Sequence, residues 1–260
     1  MNSSHFACSV LTTAYLPPVS YFFAIANSDR VLIEQHEAYQ KQSWRNRCRI
    51  LATAGPEDLS IPVIKEERLS RPIRDIRIDY GEPWLQHHIR ALDAAYNHSA
   101  FYDYYADDLI PLLESKPTFL FDLNQSLLAK LLDLLDLHVP IDFTETYVKD
   151  YDGESGLCRP GGAAGSFDAK RSRLHQKGSD ALREPDSTSI VLDGRERIQP
   201  KYKGKSLLAE YGCEQAYYQV FVNRFPGQAR EDGSPSFIPD LSIIDLLSAE
   251  GPDAGAFLRI

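Results

Sequence analysis

Residues 8–35, "CSVLTTAYLPPVSYFFAIANSDRVLIEQ", set the architecture of this chain. "CSVLTTAY" is apolar and β-branched and reads as a buried strand. Pro18 suits the first turn of a helix, where its missing N–H costs nothing. Asn27-Ser28-Asp29 reads as the turn that follows, and "RVLIEQ" as a second strand. A strand–helix–strand unit of this kind lays its two strands side by side in parallel. Ligands of open parallel sheets bind beyond the carboxyl ends of the strands. Just past the second strand stands His36, close to Glu34 and Glu37. A histidine so placed can be a general base or a metal ligand. The run is not HExxH, and one histidine fixes no metal. A solvated or core-satisfied histidine is the plainer alternative.

Downstream, residues 44–51 read as a strand. Period two would put Arg45, Arg47 and Arg49 on one face and Trp44, Asn46, Cys48 and Ile50 on the other. "DLSIPV" (58–63) and "IRDIRIDY" (73–80) read as further strands, the latter with Asp75, Arg77 and Asp79 on one face. Helices are expected from residue 84 onward. Trp84 to His98 carries Leu85, Ile89, Leu92 and Tyr96 in an amphipathic stripe, with Trp84 and His88 one turn apart. "FYDYYADDLIPLLE" reads as one or two short helices interrupted near Pro111. "LNQSLLAKLLDLLDL" is the clearest helix, and "HVPIDFTETYV" reads as a returning strand. Residues 150–190, centred on "GGAAGS", hold few large apolar side chains and read as a flexible insertion. "QAYYQVFVNRF" reads as a short helix, and "PDLSIIDLLSAEGP" as a final one stopped at Gly251-Pro252. The expectation is a single α/β domain over 1–260, with a mixed sheet, a parallel start and a helical half.

The bulk properties exclude several classes. A formal net charge of −9 and a pI near 5.3 leave no dominant basic surface for nucleic acid or anionic membrane. Cys8, Cys48, Cys158 and Cys213 form no CxxC pair, so neither a zinc motif nor a disulfide scaffold is indicated. The N-terminal segment lacks a positive n-region, contains Pro17-Pro18 and runs straight into a strand, which reads against a signal peptide. No apolar run is long enough for a membrane span. The expected compartment is the cytoplasm.

Against that acidic background, Lys41, Arg45, Arg47 and Arg49 crowd into one short segment. Guanidinium forks match phosphate or carboxylate oxygens. The alternative is cross-strand pairing with Asp75 and Asp79. "SIID" (242–245) fits a capping box, with Asp245 bonding back to the chain. The turn after the first strand lacks the glycines of a P-loop or dinucleotide fingerprint. No cofactor is specified.

Taken in order, these segments resemble the WbqC-like proteins. The resemblance rests on "TAYLPPVSYFFAIANSDRVLIEQHEAYQKQSWRNRCRI", with its Tyr15-Leu16-Pro17 turn and its Asn46-Arg47-Cys48-Arg49-Ile50 run. "LSIPV", "IRDIRIDY", "PWLQHHIRALDAAYNHSAFYDYYADDL" and "FIPDLSIIDLLSAEGP" follow in the same order. Pro17-Pro18 stands where many relatives carry Pro-Trp, Cys48 departs from the N-R-N run, and the 150–190 insertion is not a family feature. The resemblance implies a link to bacterial O-antigen and other surface-polysaccharide gene clusters, a pathway more than a reaction. Lys41, Asn46, Arg47 and His88 fall at positions of the family pattern.

Two functions follow as expectations. One is a group-transferase acting on a sugar or nucleotide-sugar. There Lys41, Arg47 and Arg49 hold a phosphorylated or carboxylated substrate, Asn46 orients it, and His36 or His88 moves the proton. Tyr15, Trp84 and Asp245 complete the substrate-binding set. The other is a non-catalytic ligand- or partner-binding protein of the same pathway. A metal-dependent hydrolase would need His36 and a carboxylate to converge with a further ligand.

Overall fold

The computed structural model describes residues 5–65, 71–147, 149, 191–200, 202–203, 206–210, 217, 219 and 237–259. The expected insertion at 150–190 and most of the expected helix at 215–225 lie outside the described residues.

The strand–helix–strand start is present. β1 (Cys8–Thr12) and β2 (Val31–Glu34) pair in parallel, joined by α1 (Val19–Ala26). Pro18 sits at the N-cap in extended conformation, just before the first turn. "VSYFFAIA" carries no charge, and all but its last residue is buried, which makes α1 a central helix rather than an amphipathic one. Phe22, Phe23 and Ile25 have no exposed surface; each such side chain contributes roughly 1.5–3 kcal/mol by burial. β5 (Ile141–Phe143) and β6 (Val191–Asp193) complete a four-stranded sheet of order β5-β2-β1-β6, parallel throughout.

Among the described residues the antiparallel strand ladder is a separate hairpin, β3 (Arg47–Ala52) with β4 (Gly55–Ser60), and other antiparallel pairing is limited to isolated bridges. The expected 44–51 strand thus begins at Arg47. From there the alternation holds, with Cys48 and Ile50 buried and Arg47 and Arg49 on the outer face. Arg45 precedes the strand and is fully buried instead of joining that face. Residues 73–80 are not a strand either. Pro72 leads into a 3-10 turn at Ile73–Asp75, and Arg77 and Ile78 make only isolated bridges. Ile73, Ile76 and Ile78 still bury, so the apolar pattern records packing rather than pairing.

The helical half comprises α2 (Trp84–Tyr96), α3 (Tyr102–Glu114) and α4 (Leu120–Leu134). α3 runs through Pro111 without the expected interruption. Beyond the sheet come α5 (Leu207–Glu210), α6 (Ile243–Glu250) and α7 (Ala254–Phe257). α6 ends at Gly251, whose φ of +59° suits only glycine and whose Cα faces the ring of Phe101. Among the described residues no helix is long and apolar enough to cross a membrane.

Candidate functional site

The carboxyl ends of β2 and β6 open onto one cleft. Chain order runs β1-β2-β5 toward one edge, while β6 lies on the other flank of β1. Such reversals are where open parallel sheets hold ligands. The cleft measures about 650 Å³ and is lined by His36, Glu37, Gln40, Tyr147, Asp193 and Arg195, among others. A smaller hollow of about 310 Å³ adjoins it through Gln40 and Glu196 and includes Lys41, Gln199 and Lys203.

Glu34, the last residue of β2, organises the floor. It is fully buried, and its Oε1 accepts from the His36 backbone N–H (2.8 Å) and from Thr144 Oγ1 (2.9 Å). Its Oε2 lies 3.8 Å from Arg195 Nη1. Arg195 itself grips Asp193 through Nε to Oδ1 (2.9 Å) and Nη2 to Oδ2 (2.6 Å). Its guanidinium lies 5.7 Å from the Tyr147 ring centroid, a cation–π distance. Gly194 lets this turn approach β1: a Cβ there would meet Leu11 Cδ2 at 2.6 Å.

His36 is held by its ring. Nε2 lies 2.9 Å from the Thr144 carbonyl oxygen, which can only accept, so Nε2 carries the hydrogen. In the neutral ring Nδ1 is then the bare nitrogen. It has no hydrogen-bond partner among the described residues and belongs to a side chain that lines the cleft. That arrangement can take a proton from a bound hydroxyl.

Behind the cleft, Arg45 Nε donates to Glu37 Oε1 at 2.8 Å, and Nη2 to Oε2. The pair is buried. Burial pushes the Glu37 carboxyl above its ordinary range despite the guanidinium's hydrogen bonds and charge. Lys41, Lys149 and Lys203 stand exposed around the rim, none with a carboxylate within 4 Å among the described residues. No group of three or more His, Cys, Asp or Glu among the described residues is placed to hold a metal ion.

The other sequence-predicted residues lie elsewhere. Arg47 Nη1 reaches Asp58 Oδ2 at 3.2 Å, and Arg49 binds both oxygens of the same carboxylate at 2.8 and 3.3 Å. The arginines do pair across strands, but with Asp58 of β4 instead of Asp75 and Asp79, because 73–80 forms no neighbouring strand. The bond to Asp58 raises the Arg49 pKa further. Asn46 Nδ2 donates to the Ile61 carbonyl at 2.8 Å and closes the base of the hairpin.

Tyr15, Trp84 and His88 form a buried aromatic group between α2 and the hairpin. Tyr15 Oη lies 3.0 Å from His88 Nδ1, and the Trp84 ring stands edge-on to His88 at 5.0 Å. Desolvation, helped by His87, lowers the His88 pKa to about 4; the Ser60 backbone works the other way. The ring is therefore neutral at pH 7.

Asp245 lies fully buried in the first turn of α6. Ser242 Oγ does cap the helix, accepting from Ile244 N at 3.4 Å, but Asp245 does not bond back as a capping box requires. Its carboxyl sits by the Tyr96 and Tyr217 hydroxyls, with neither oxygen in a hydrogen bond of normal geometry. Burial pushes its pKa up to about 7, with the tyrosines opposing.

The structure thus places His36 in the cleft and Lys41 in the hollow that adjoins it, and leaves the hairpin, the aromatic group and Asp245 at other places. Asp193 and Arg195 escape the sequence reading, as does the part played by Glu34. A signal for them exists: "VLIE" and "IVLD" are both short β-branched runs ending in a carboxylate, the expected mark of a parallel strand meeting a ligand edge.

Fold and cleft define an α/β protein with a cleft at the carboxyl edge of a parallel sheet. The chain belongs to the WbqC-like protein family, whose sequence profile matches residues 13–166. It is 27% identical over 256 residues to the uncharacterized protein Rv1507c of Mycobacterium tuberculosis, covering 96% of each chain. No solved structure matches it.

Proposed function

We propose that this protein is a cytoplasmic group-transferase acting on a sugar or nucleotide-sugar in bacterial surface-polysaccharide biosynthesis. The observation that carries the reaction is His36. Its Nε2–H is fixed on Thr144 and its Nδ1 is left to accept a proton at the sheet's carboxyl edge. The exposed lysines Lys41, Lys149 and Lys203 supply positive charge for a phosphorylated or carboxylated donor. The pathway is supported by the family resemblance only. Arg47 and Arg49 are less suited to the donor, since Asp58 already neutralises them in part.

The test is calorimetric binding of UDP-, GDP- and dTDP-sugars to the wild type, Lys41→Ala/Lys149→Ala and His36→Gln, together with release of nucleoside diphosphate as the glycosyl group passes to water or to an added sugar acceptor. A charge-assisted contact contributes about 1.5–3 kcal/mol, so each lysine removed should weaken binding about tenfold or more. His36→Gln should bind as the wild type does and lose turnover. Binding without turnover in the wild type would favour a non-catalytic ligand-binding protein. No binding of any nucleotide-sugar would overturn the proposal.

A further inference from the structure

A second hollow lies directly beside the cleft, and its chemistry is opposite. It measures about 690 Å³ and runs between α4 and the edge strand β5. Phe121, Leu128 and Leu132 of α4 form one wall; Val139, Ile141 and Phe143 form the other. Phe121 and Phe143 meet at 5.6 Å between ring centroids. Leu132, Val139, Ile141 and Phe143 are only partly buried, so they present apolar surface to the hollow while packing on the core. A concave apolar surface of this size with a few polar groups at its mouth is the usual form of a small-molecule site.

The two hollows flank the ends of β2 and β5. Gln35 lines the apolar groove, and the next residue, His36, lines the polar cleft. Both side chains converge on one atom: Gln35 Nε2 lies 2.7 Å and His36 Nε2 2.9 Å from the Thr144 carbonyl oxygen. On the β5 side, Phe143 faces the groove, while Tyr147 and Lys149 face the cleft. An apolar chain laid in the groove toward Gln35 would therefore end one residue from His36.

We infer that the protein binds an amphiphile, with an aliphatic chain along the α4–β5 groove and a phosphate or carboxylate head in the lysine-rimmed cleft. This deepens the proposed transferase reading, because it gives one reactant a lipid character. The occupant follows from the juxtaposition: apolar walls ask for a hydrocarbon chain, and Lys149 in the cleft, with Lys41 and Lys203 in the hollow beyond it, asks for an anionic end.

The test uses inorganic phosphate, butyl phosphate and octyl phosphate, titrated calorimetrically into the full chain below the micelle threshold. Each methylene buried in the groove should tighten binding by about fourfold. Ala129→Trp and Ser126→Trp place an indole in the groove from exposed positions on α4. Both should bind octyl phosphate no better than phosphate while keeping the wild-type circular dichroism.

Phosphate binding without chain-length dependence would overturn this inference and leave the anion-binding cleft standing. No binding by any of the three would overturn both. Chain-length dependence that survives both tryptophan variants would place the chain elsewhere and also sink the inference. A linear acyl chain and a branched isoprenoid share the required chemistry, and dodecyl phosphate against farnesyl phosphate tells them apart; tighter binding of either than of octyl phosphate supports the assignment.

Discussion

Replacing Asp245 with asparagine should change how the stability of this protein depends on pH. The carboxyl is fully buried, and its pKa is pushed from an ordinary 3.8 up to about 7. Between those two values the folded chain holds a proton that the unfolded chain has released. The contribution of Asp245 is therefore fully present below about pH 4 and is lost as pH rises through 7. A gap of three units corresponds to roughly 4 kcal/mol at ~1.4 kcal/mol per unit. His88 acts in the opposite sense: its pKa is lowered to about 4, so its contribution is lost as pH falls through that value. Tyr96 and Tyr217 face Asp245 but are pushed far above the window and stay protonated. The two slopes largely cancel between pH 4 and 6.5 in the wild type. The informative quantity is the difference between wild type and Asp245→Asn, from urea unfolding extrapolated to water at each pH. It should shift by about 3 kcal/mol in favour of the variant from pH 4.5 to pH 8.5. A difference that stays constant to within about 1 kcal/mol across that range would mean that Asp245 ionises in the folded chain as it does in the unfolded one.

Two further outcomes are expected. By NMR, the His88 ring should remain neutral from pH 8 down to about 5 and titrate near 4, and a midpoint near 6.5 would show that the site is wet. Glu37→Ala leaves the Arg45 guanidinium buried and unpaired, which should cost about 3–5 kcal/mol in urea unfolding; a loss under about 1 kcal/mol would mean that water reaches Arg45.

Much of the architecture is legible locally. β-branched runs around an uncharged apolar helix suffice to give β1, α1 and β2 in parallel, because nearest neighbours along the chain pack together. The 3.6-residue stripe gives α2, and "LNQSLLAKLLDLLDL" gives most of α4. Strands fail where apolar alternation and hydrogen-bond pairing part company. Ile73, Ile76 and Ile78 bury without a ladder, since Pro72 and a 3-10 turn take the backbone out of extended geometry. The position of His36 past β2 follows from sequence, since the carboxyl edge of a parallel strand is a local fact. Its partners do not. Thr144, Asp193 and Arg195 arrive from the ends of strands more than a hundred residues away, and their convergence depends on the order β5-β2-β1-β6, which no local pattern encodes. The same holds for charge. Arg45, Arg47 and Arg49 look alike in the chain, yet one is buried on Glu37 and two lie on Asp58. Composition sets how many charges there are; packing chooses which of them meet each other and which are left for a ligand.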